Sequence, residues 1–308
     1  MQLPRCGFDR LTFSAAPTAA SSRLAVADAL PAVLAGGYLR DAGGRPSGHD
    51  RTYERYLVYR SRVAGGPCFE LFYEPKKLSR PALRLNVRAS MALMLSDPCV
   101  AEQLVAVLSS RLAVRFVPAE LELTIDLPGD VMTATALARS VYVPRVRTVK
   151  DVKGTHYWGS RRSAFSVRLY CKQEDGMELV RVELVLRRDT LRRHRINCVE
   201  GLRRLDLCTI ARRRLRFVSY VPGRQSKRGI DAPALPVQVQ DYGVQKVLAL
   251  LSPRDRAWFR SRLCLNESDR LITGIIAEFT RSMSARPTPP GAFPQSLRPT
   301  RLAVKPIE

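Results

Sequence analysis

Acidic residues, histidines and paired cysteines are scarce in this chain, and each shortage removes a class of function. Asp and Glu number 28 against 51 Lys and Arg, which leaves a formal net charge of +23 on 308 residues. A field of that sign attracts polyanions, nucleic acid foremost. Arg greatly outnumbers Lys, a preference that suits planar phosphate and base contacts and that a GC-rich genome would produce equally. The three histidines (His49, His156 and His194) stand far apart in sequence. The seven cysteines (Cys6, Cys68, Cys99, Cys171, Cys198, Cys208 and Cys264) include no C-x-x-C pair. An odd count without metal-ligand spacing reads as reduced thiols in a cytoplasm. Gly36-Gly37 and Gly65-Gly66 read as turns, since no Gly-x-x-x-x-Gly-Lys-Ser/Thr phosphate loop occurs. No run approaches the roughly 20 apolar residues of a membrane span, and no basic n-region precedes an apolar run. The expectation is an intracellular protein with no membrane partner.

What is present is a hydrophobic fraction of 45%, enough for one substantial core and a small second one. Strand-like alternation occurs at Phe8–Phe13, Tyr53–Arg62, Cys68–Tyr73, Ala82–Ala89 and Ala119–Leu127. Short helices are expected around Leu24–Leu34 and about Val131–Ser140, and Asp97-Pro98, a cap followed by Pro at the first position, opens another with a broad apolar stripe. Asn197–Arg216 has helical spacing, and Tyr242–Leu251, Pro253–Cys264 and Ser268–Met283 read as three more helices. Strands gathered around a few helices, without βαβ alternation, predict an α+β fold: an antiparallel β-sheet with helices packed on one face, plus a small C-terminal helical region. The expected divisions are a domain over residues 1–221, a basic Pro/Gly-rich linker over 222–240, a helical region over 241–286 and a disordered tail over 287–308.

The most informative stretch runs from Gly154 to Arg187. Period 2 puts Phe165, Val167, Leu169 and Cys171 on one face and Ser166, Arg168, Tyr170 and Lys172 on the other. Val180, Val182, Leu184 and Leu186 then alternate against Arg181, Glu183, Val185 and Arg187, across a polar segment containing Asp175-Gly176. This predicts an antiparallel hairpin with one face in the core. In Ala119–Leu127 the outward face carries Glu120, Glu122, Thr124 and Asp126. If these strands are sheet neighbours, Tyr170 and several carboxylates share one polar face. Clustered carboxylates hold a divalent cation, and a tyrosine beside them can attack a phosphodiester. Two plainer readings stay open. Tyrosine is a favoured strand residue, and Glu183 among arginines is a natural cross-strand ion pair.

The order Gly159-Ser160-Arg161, Ser163, Arg168-Leu-Tyr170-x-Lys172, then Arg181-Val-Glu183-Leu, resembles the trans-acting replication initiation factors of rolling-circle plasmids and some filamentous phages. Glu122 and Asp126 match a further strand of that family, and Phe8–Phe13 its opening strand; the resemblance spans roughly Phe8 to Arg216. It implies a DNA nickase and strand transferase in which Tyr170 attacks the origin strand and leaves a 5′-phosphotyrosine. It also implies Mg²⁺ or Mn²⁺ held by Glu122, Asp126 and Glu183, with Arg168, Lys172 and Arg181 on phosphates or developing charge. Arg161, Arg162, Lys153 and Arg187 would contact the DNA, at a single-stranded or cruciform nick site. A host helicase and a homodimer are the partners it implies. The chain departs from the family pattern in two places, with Cys171 where Asp or Asn is usual and Glu122 where Asp is usual. Cys171 keeps open an initiator-like protein that binds DNA without cutting it, and a conjugative relaxase of the same chemistry is a further alternative. No His-hydrophobic-His pair of the other rolling-circle nickase class occurs. The run from Val141 to Ile230 carries about 23 cations against about 8 acids, interrupted by Tyr142, Tyr157, Trp158 and Tyr220. It is read either as a solvated helix face or as a surface that binds phosphates and stacks on bases.

Overall fold

The alternating sequences become antiparallel strands because each can bury one face and expose the other. The structure, a computed structural model, describes residues 4–15, 39–41, 52–61, 68–77, 80–81, 83–88, 102, 105–106, 108–110, 114–146, 149–160, 162–174, 176–198, 200–222 and 234–285. The expected helix at Leu24–Leu34, most of the Gly/Pro/Asp-rich stretch Gly36–Asp50 that reads as a loop, and the tail from residue 287 lie outside the described residues; Leu39–Asp41, within that stretch, is a strand instead of loop. The chain divides into two compact units, with the boundaries falling inside its first strand and its sixth. The fold is α+β, as expected.

One unit takes its strands from Phe8–Leu121. Here β1 (Arg5–Ala15), β2 (Leu39–Asp41), β3 (Tyr53–Ser61), β4 (Cys68–Pro75) and β5 (Leu83–Arg88) pair in the order β2-β3-β4-β5-β1. Phe13, Leu71, Leu83, Leu85 and Val87 are buried. A polar row is buried with them. Thr12 Oγ1 donates to Asn86 Oδ1 at 3.0 Å, and Asn86 Nδ2 donates to Glu70 Oε2 at 3.0 Å. Register pairs Thr12 with Asn86 and Asn86 with Glu70, so the row satisfies itself across three strands and avoids the cost of unpaired buried groups.

The other unit takes Met1–Gly7, Glu122–Thr190 and Leu205–Ser284. It contains the end of β6 (Phe116–Pro128), α1 (Val131–Ser140), β7 (Val141–Tyr142), β8 (Val149–Val152), β9 (Thr155–Trp158), β10 (Phe165–Glu174) and β11 (Met177–Arg187). The sheet order is β6-β11-β10-β9-β8, so the three strands carrying the predicted site residues are neighbours. The predicted antiparallel hairpin forms, and its strands run further into the polar segment than expected, with Glu174 paired to Met177. Asp130 caps α1 by accepting from Thr133 N at 2.8 Å. The helix buries Ala134, Leu137 and Ala138. The Gly129–Thr133 turn lies against Val180, on the apolar face of the hairpin, which leaves the opposite face for polar chemistry.

After β11 the helices differ from expectation in three places. The single helix predicted over Asn197–Arg216 is a 3₁₀ turn at Glu200–Arg204 followed by α3 (Leu207–Arg214), preceded by α2 (Arg188–Arg193). Asp206 is the reason. Its carboxylate accepts from Thr209 N at 2.8 Å and starts a new helix instead of sitting inside an old one. Likewise α6 (Pro253–Arg260) does not reach Cys264, because Leu263–Leu265 forms β13 against β12 (Arg216–Tyr220). The apparent helical spacing there is satisfied as strand pairing. Helix α4 (Ala234–Tyr242) begins inside the expected linker, and α5 (Val244–Leu250) and α7 (Glu267–Ala285) complete the set. Val218, Leu235, Val244, Val247, Leu248 and Phe259 form the small second core.

Gly243 joins α4 to α5 at φ +81°, and a Cβ there would stand 2.8 Å from Arg139 Cα. Both the backbone angle and the space demand glycine. Gly243→Ala is expected to lower stability by about 3 kcal/mol, read as a shifted urea midpoint for the full chain.

Candidate active site

Faces are assigned by strand periodicity, and the register turns them into neighbours. Arg168 pairs directly with Glu183 and Tyr170 with Arg181, so all four lie on the polar face of the hairpin. Tyr170 Oη donates to Glu183 Oε1 at 2.6 Å. Arg168 bridges two acids: Nη1 donates to Glu183 Oε2 at 2.9 Å and Nη2 to Glu122 Oε1 at 3.0 Å. Glu122 and Glu183 are almost fully buried, while the Arg168 side chain remains 31% exposed and Tyr170 is half-buried. The tyrosine hydroxyl, two carboxylates and a partly exposed guanidinium therefore form one connected group.

A second group adjoins it. Arg181 donates twice to Asp126, Nε to Oδ1 and Nη2 to Oδ2, both at 2.7 Å. Arg5 Nη2 donates to Asp126 Oδ2 at 3.2 Å and to Glu174 Oε2 at 2.8 Å. Lys172 Nζ stands 3.5 Å from Glu174 Oε2. Arg181 and Asp126 are both buried. A buried bidentate pair of this kind offsets much of the desolvation of each charge through the other.

Arg5 and Glu174 were not singled out from sequence. Glu174 continues the alternation Ser166, Arg168, Tyr170, Lys172 by one more step, so periodicity carries the signal, masked by its place in the polar segment around Asp175-Gly176. Arg5 precedes the alternation read from Phe8 and left no comparable mark.

The three acids do not make a ready cation site. Among the described residues no three of His, Cys, Asp and Glu are grouped closely enough to hold a metal ion. Glu122 and Glu183 are brought together through Arg168, whereas Asp126 belongs to the Arg181 and Arg5 group. The charges that a divalent cation would neutralise are already met by guanidinium groups. The donor set as arranged does not fit Mg²⁺ or Mn²⁺.

The cations expected on DNA divide three ways. Lys153 and Arg162 are exposed, Lys153 at the tip joining β8 to β9 and Arg162 in the loop before β10. Arg187 Nη1 donates to Ser163 O at 2.7 Å and to Ser166 Oγ at 3.2 Å, so it holds that loop. Arg161 lies outside the described residues. The Gly159 turn needs its glycine, with φ +90° and a Cβ that would meet Phe165 O at 3.1 Å. Neighbouring thiols are not competing nucleophiles. Burial, then the Asp126 charge, pushes the Cys6 thiol up, and burial followed by Glu178 and Asp130 pushes the Cys171 thiol up. Both stay protonated at neutral pH.

No family model matches the sequence, and no curated protein matches it. Among solved structures the chain is similar to a rolling circle replication initiator protein from Geobacillus stearothermophilus, with a TM-score of 0.41 and 13% identity, covering 78% of this chain and 98% of that one. A likeness so slight assigns neither family nor activity. No helix among the described residues is long and apolar enough to cross a membrane.

Proposed function

We propose that this chain initiates rolling-circle replication by nicking one DNA strand at an origin, with Tyr170 as the nucleophile. One observation carries the reading: the 2.6 Å hydrogen bond from Tyr170 Oη to the buried Glu183 carboxylate, itself held by Arg168. The +23 charge and the sequence resemblance agree with it. Glu183 accepts the phenolic proton as Tyr170 Oη bonds to phosphorus. The P–O3′ bond breaks, its electron pair leaves with the 3′-oxygen, and that oxygen takes a proton to become a hydroxyl able to prime synthesis. The 5′-phosphate stays on Tyr170 as a diester, so attack by a 3′-hydroxyl reverses the step and rejoins a strand. Arg168, exposed on one side and anchored by two carboxylates on the other, supplies positive charge to the phosphoryl oxygens. Mg²⁺ or Mn²⁺ is the cofactor the resemblance implies, and no step of this chemistry is routed through it. A host helicase and a second copy of the chain are the partners this role calls for.

The test is a covalent adduct. Full-length protein mixed with a labelled single-stranded origin oligonucleotide should carry the label through a denaturing gel. Glu183→Gln keeps the size and a hydrogen-bond acceptor but loses the base, and should slow adduct formation by roughly 10²–10⁴-fold while leaving DNA binding in place. An unlabelled wild-type band in every condition would sink the cleavage reading. The guanidinium pairing of all three acids favours a second reading, a protein that binds DNA without cutting it; that protein would retain the oligonucleotide only non-covalently.

A further inference from the structure

Of the aromatic residues Tyr142, Tyr157, Trp158 and Tyr220 in the basic run, three are committed to packing. Trp158 is 2% exposed, Tyr220 stacks on Phe259 with centroids 5.1 Å apart, and Tyr142 packs against the C-terminal core. Tyr157 is placed differently. It pairs with Arg168 on one side and with Lys150 on the other, and Arg168 pairs with Glu183. Directly paired residues of neighbouring strands share a face. Lys150, Tyr157, Arg168 and Glu183 therefore form one row across β8, β9, β10 and β11, on the face that carries Tyr170. The acid of the β8–β9 hairpin is turned away: Asp151 pairs in register with His156 and stands 3.2 Å from its Nδ1, on the opposite face with Trp158. Beyond Tyr157 the row ends in exposed Lys150, and the hairpin tip adds exposed Lys153.

From this placement we infer that Tyr157 is the stacking platform for an unpaired base beside the phosphate presented to Tyr170, and that Lys150 takes the next phosphate along the strand. The inference rests on the nicking reading for the identity of the site. The ligand class is single-stranded DNA: an aromatic ring one strand from a phosphate-binding guanidinium fits a base whose face is open, and duplex bases offer no open face. Tyr157 acts by holding the strand and takes no part in bond making.

The measurement is fluorescence anisotropy of a labelled mixed-sequence 12-nucleotide DNA strand, using full-length protein in a Tyr170→Phe background so that nothing is cut. Tyr157→Ala should weaken binding about tenfold, whereas Tyr157→Trp should hold it near the parent value. Lys150→Ala should weaken binding modestly and reduce the salt slope by about one phosphate contact. Tyr242→Ala, an exposed aromatic on α4, should change nothing. Parent-like binding by Tyr157→Ala overturns the proposal, and so does equal loss in Ala and Trp, which would mark a packing role. Tighter binding of RNA of the same sequence overturns the assignment to DNA. Absence of cleavage shows separately, in the adduct assay, and does not alter these outcomes.

Discussion

Tyr170→Phe is expected to abolish nicking of supercoiled origin DNA while leaving DNA binding intact. The substitution removes one oxygen, the atom that would bond to phosphorus, and preserves the ring that occupies β10. Residual activity should fall by at least roughly 10⁴-fold, because the surrounding groups position and polarise without replacing a nucleophile. The cost to the fold is small by comparison. Glu183 Oε1 loses one donor, but Oε2 remains bonded to Arg168 Nη1 at 2.9 Å, so a loss of about 1–2 kcal/mol is expected. Relaxation of supercoiled origin plasmid on a gel, beside anisotropy on the same preparation, reads the two effects independently. Wild-type nicking by Tyr170→Phe would remove the tyrosine from the mechanism altogether.

The largest expected effect on stability comes from the neighbouring group. Asp126→Ala leaves the Arg181 guanidinium buried without the carboxylate that accepts from both Nε and Nη2 at 2.7 Å. Glu174 Oε2 stands 3.9 Å from Arg181 Nη2 and does not replace that bidentate contact. Stranding one partner of a buried pair costs about 3–5 kcal/mol, to be read from urea unfolding of the full chain. The double variant Asp126→Leu with Arg181→Met is expected to recover most of that loss, since apolar groups of similar size remove both desolvation costs together. If the double variant unfolds as easily as Asp126→Ala, the two residues stabilise the sheet through something other than their mutual pairing.

These two expectations differ in how visible their causes are in the sequence. Tyr170 and Glu183 stand out there because a strict period of two puts them on one face of a hairpin whose turn, Asp175-Gly176, also declares itself. The arginine bridge is less visible. Arg168 faces Glu183 only because of the register in which β10 and β11 pair, and it reaches Glu122 only because β6 lies beside β11. The plainer reading of Glu183 holds too, since it forms a cross-strand ion pair with Arg168. The convergence of Glu122, Asp126 and Glu183 on a single cation depended on distances that periodicity does not contain, and Asp126 went to Arg181 and Arg5 instead.

Helix boundaries follow a similar logic. Val131–Ser140 was legible from end to end, because Asp130 caps one end and the apolar residues repeat at helical spacing. Asn197–Arg216 was not, because Asp206 caps a new helix just where the spacing seemed to continue. Leu263–Leu265 has nothing local to mark it as a strand; its partner, Val218–Tyr220, lies more than forty residues earlier.

By itself, then, the order of residues determined the α+β class, the strand faces, the central hairpin and the polyanion-attracting charge, all of which arise from local periodicity and composition. Tertiary structure alone decided which strands adjoin, which cation neutralises which acid, and that Tyr157 shares a row with Arg168. The physical reason is range: backbone geometry repeats every few residues, whereas a hydrogen bond between side chains from distant strands exists only once the sheet has brought them within about 3 Å.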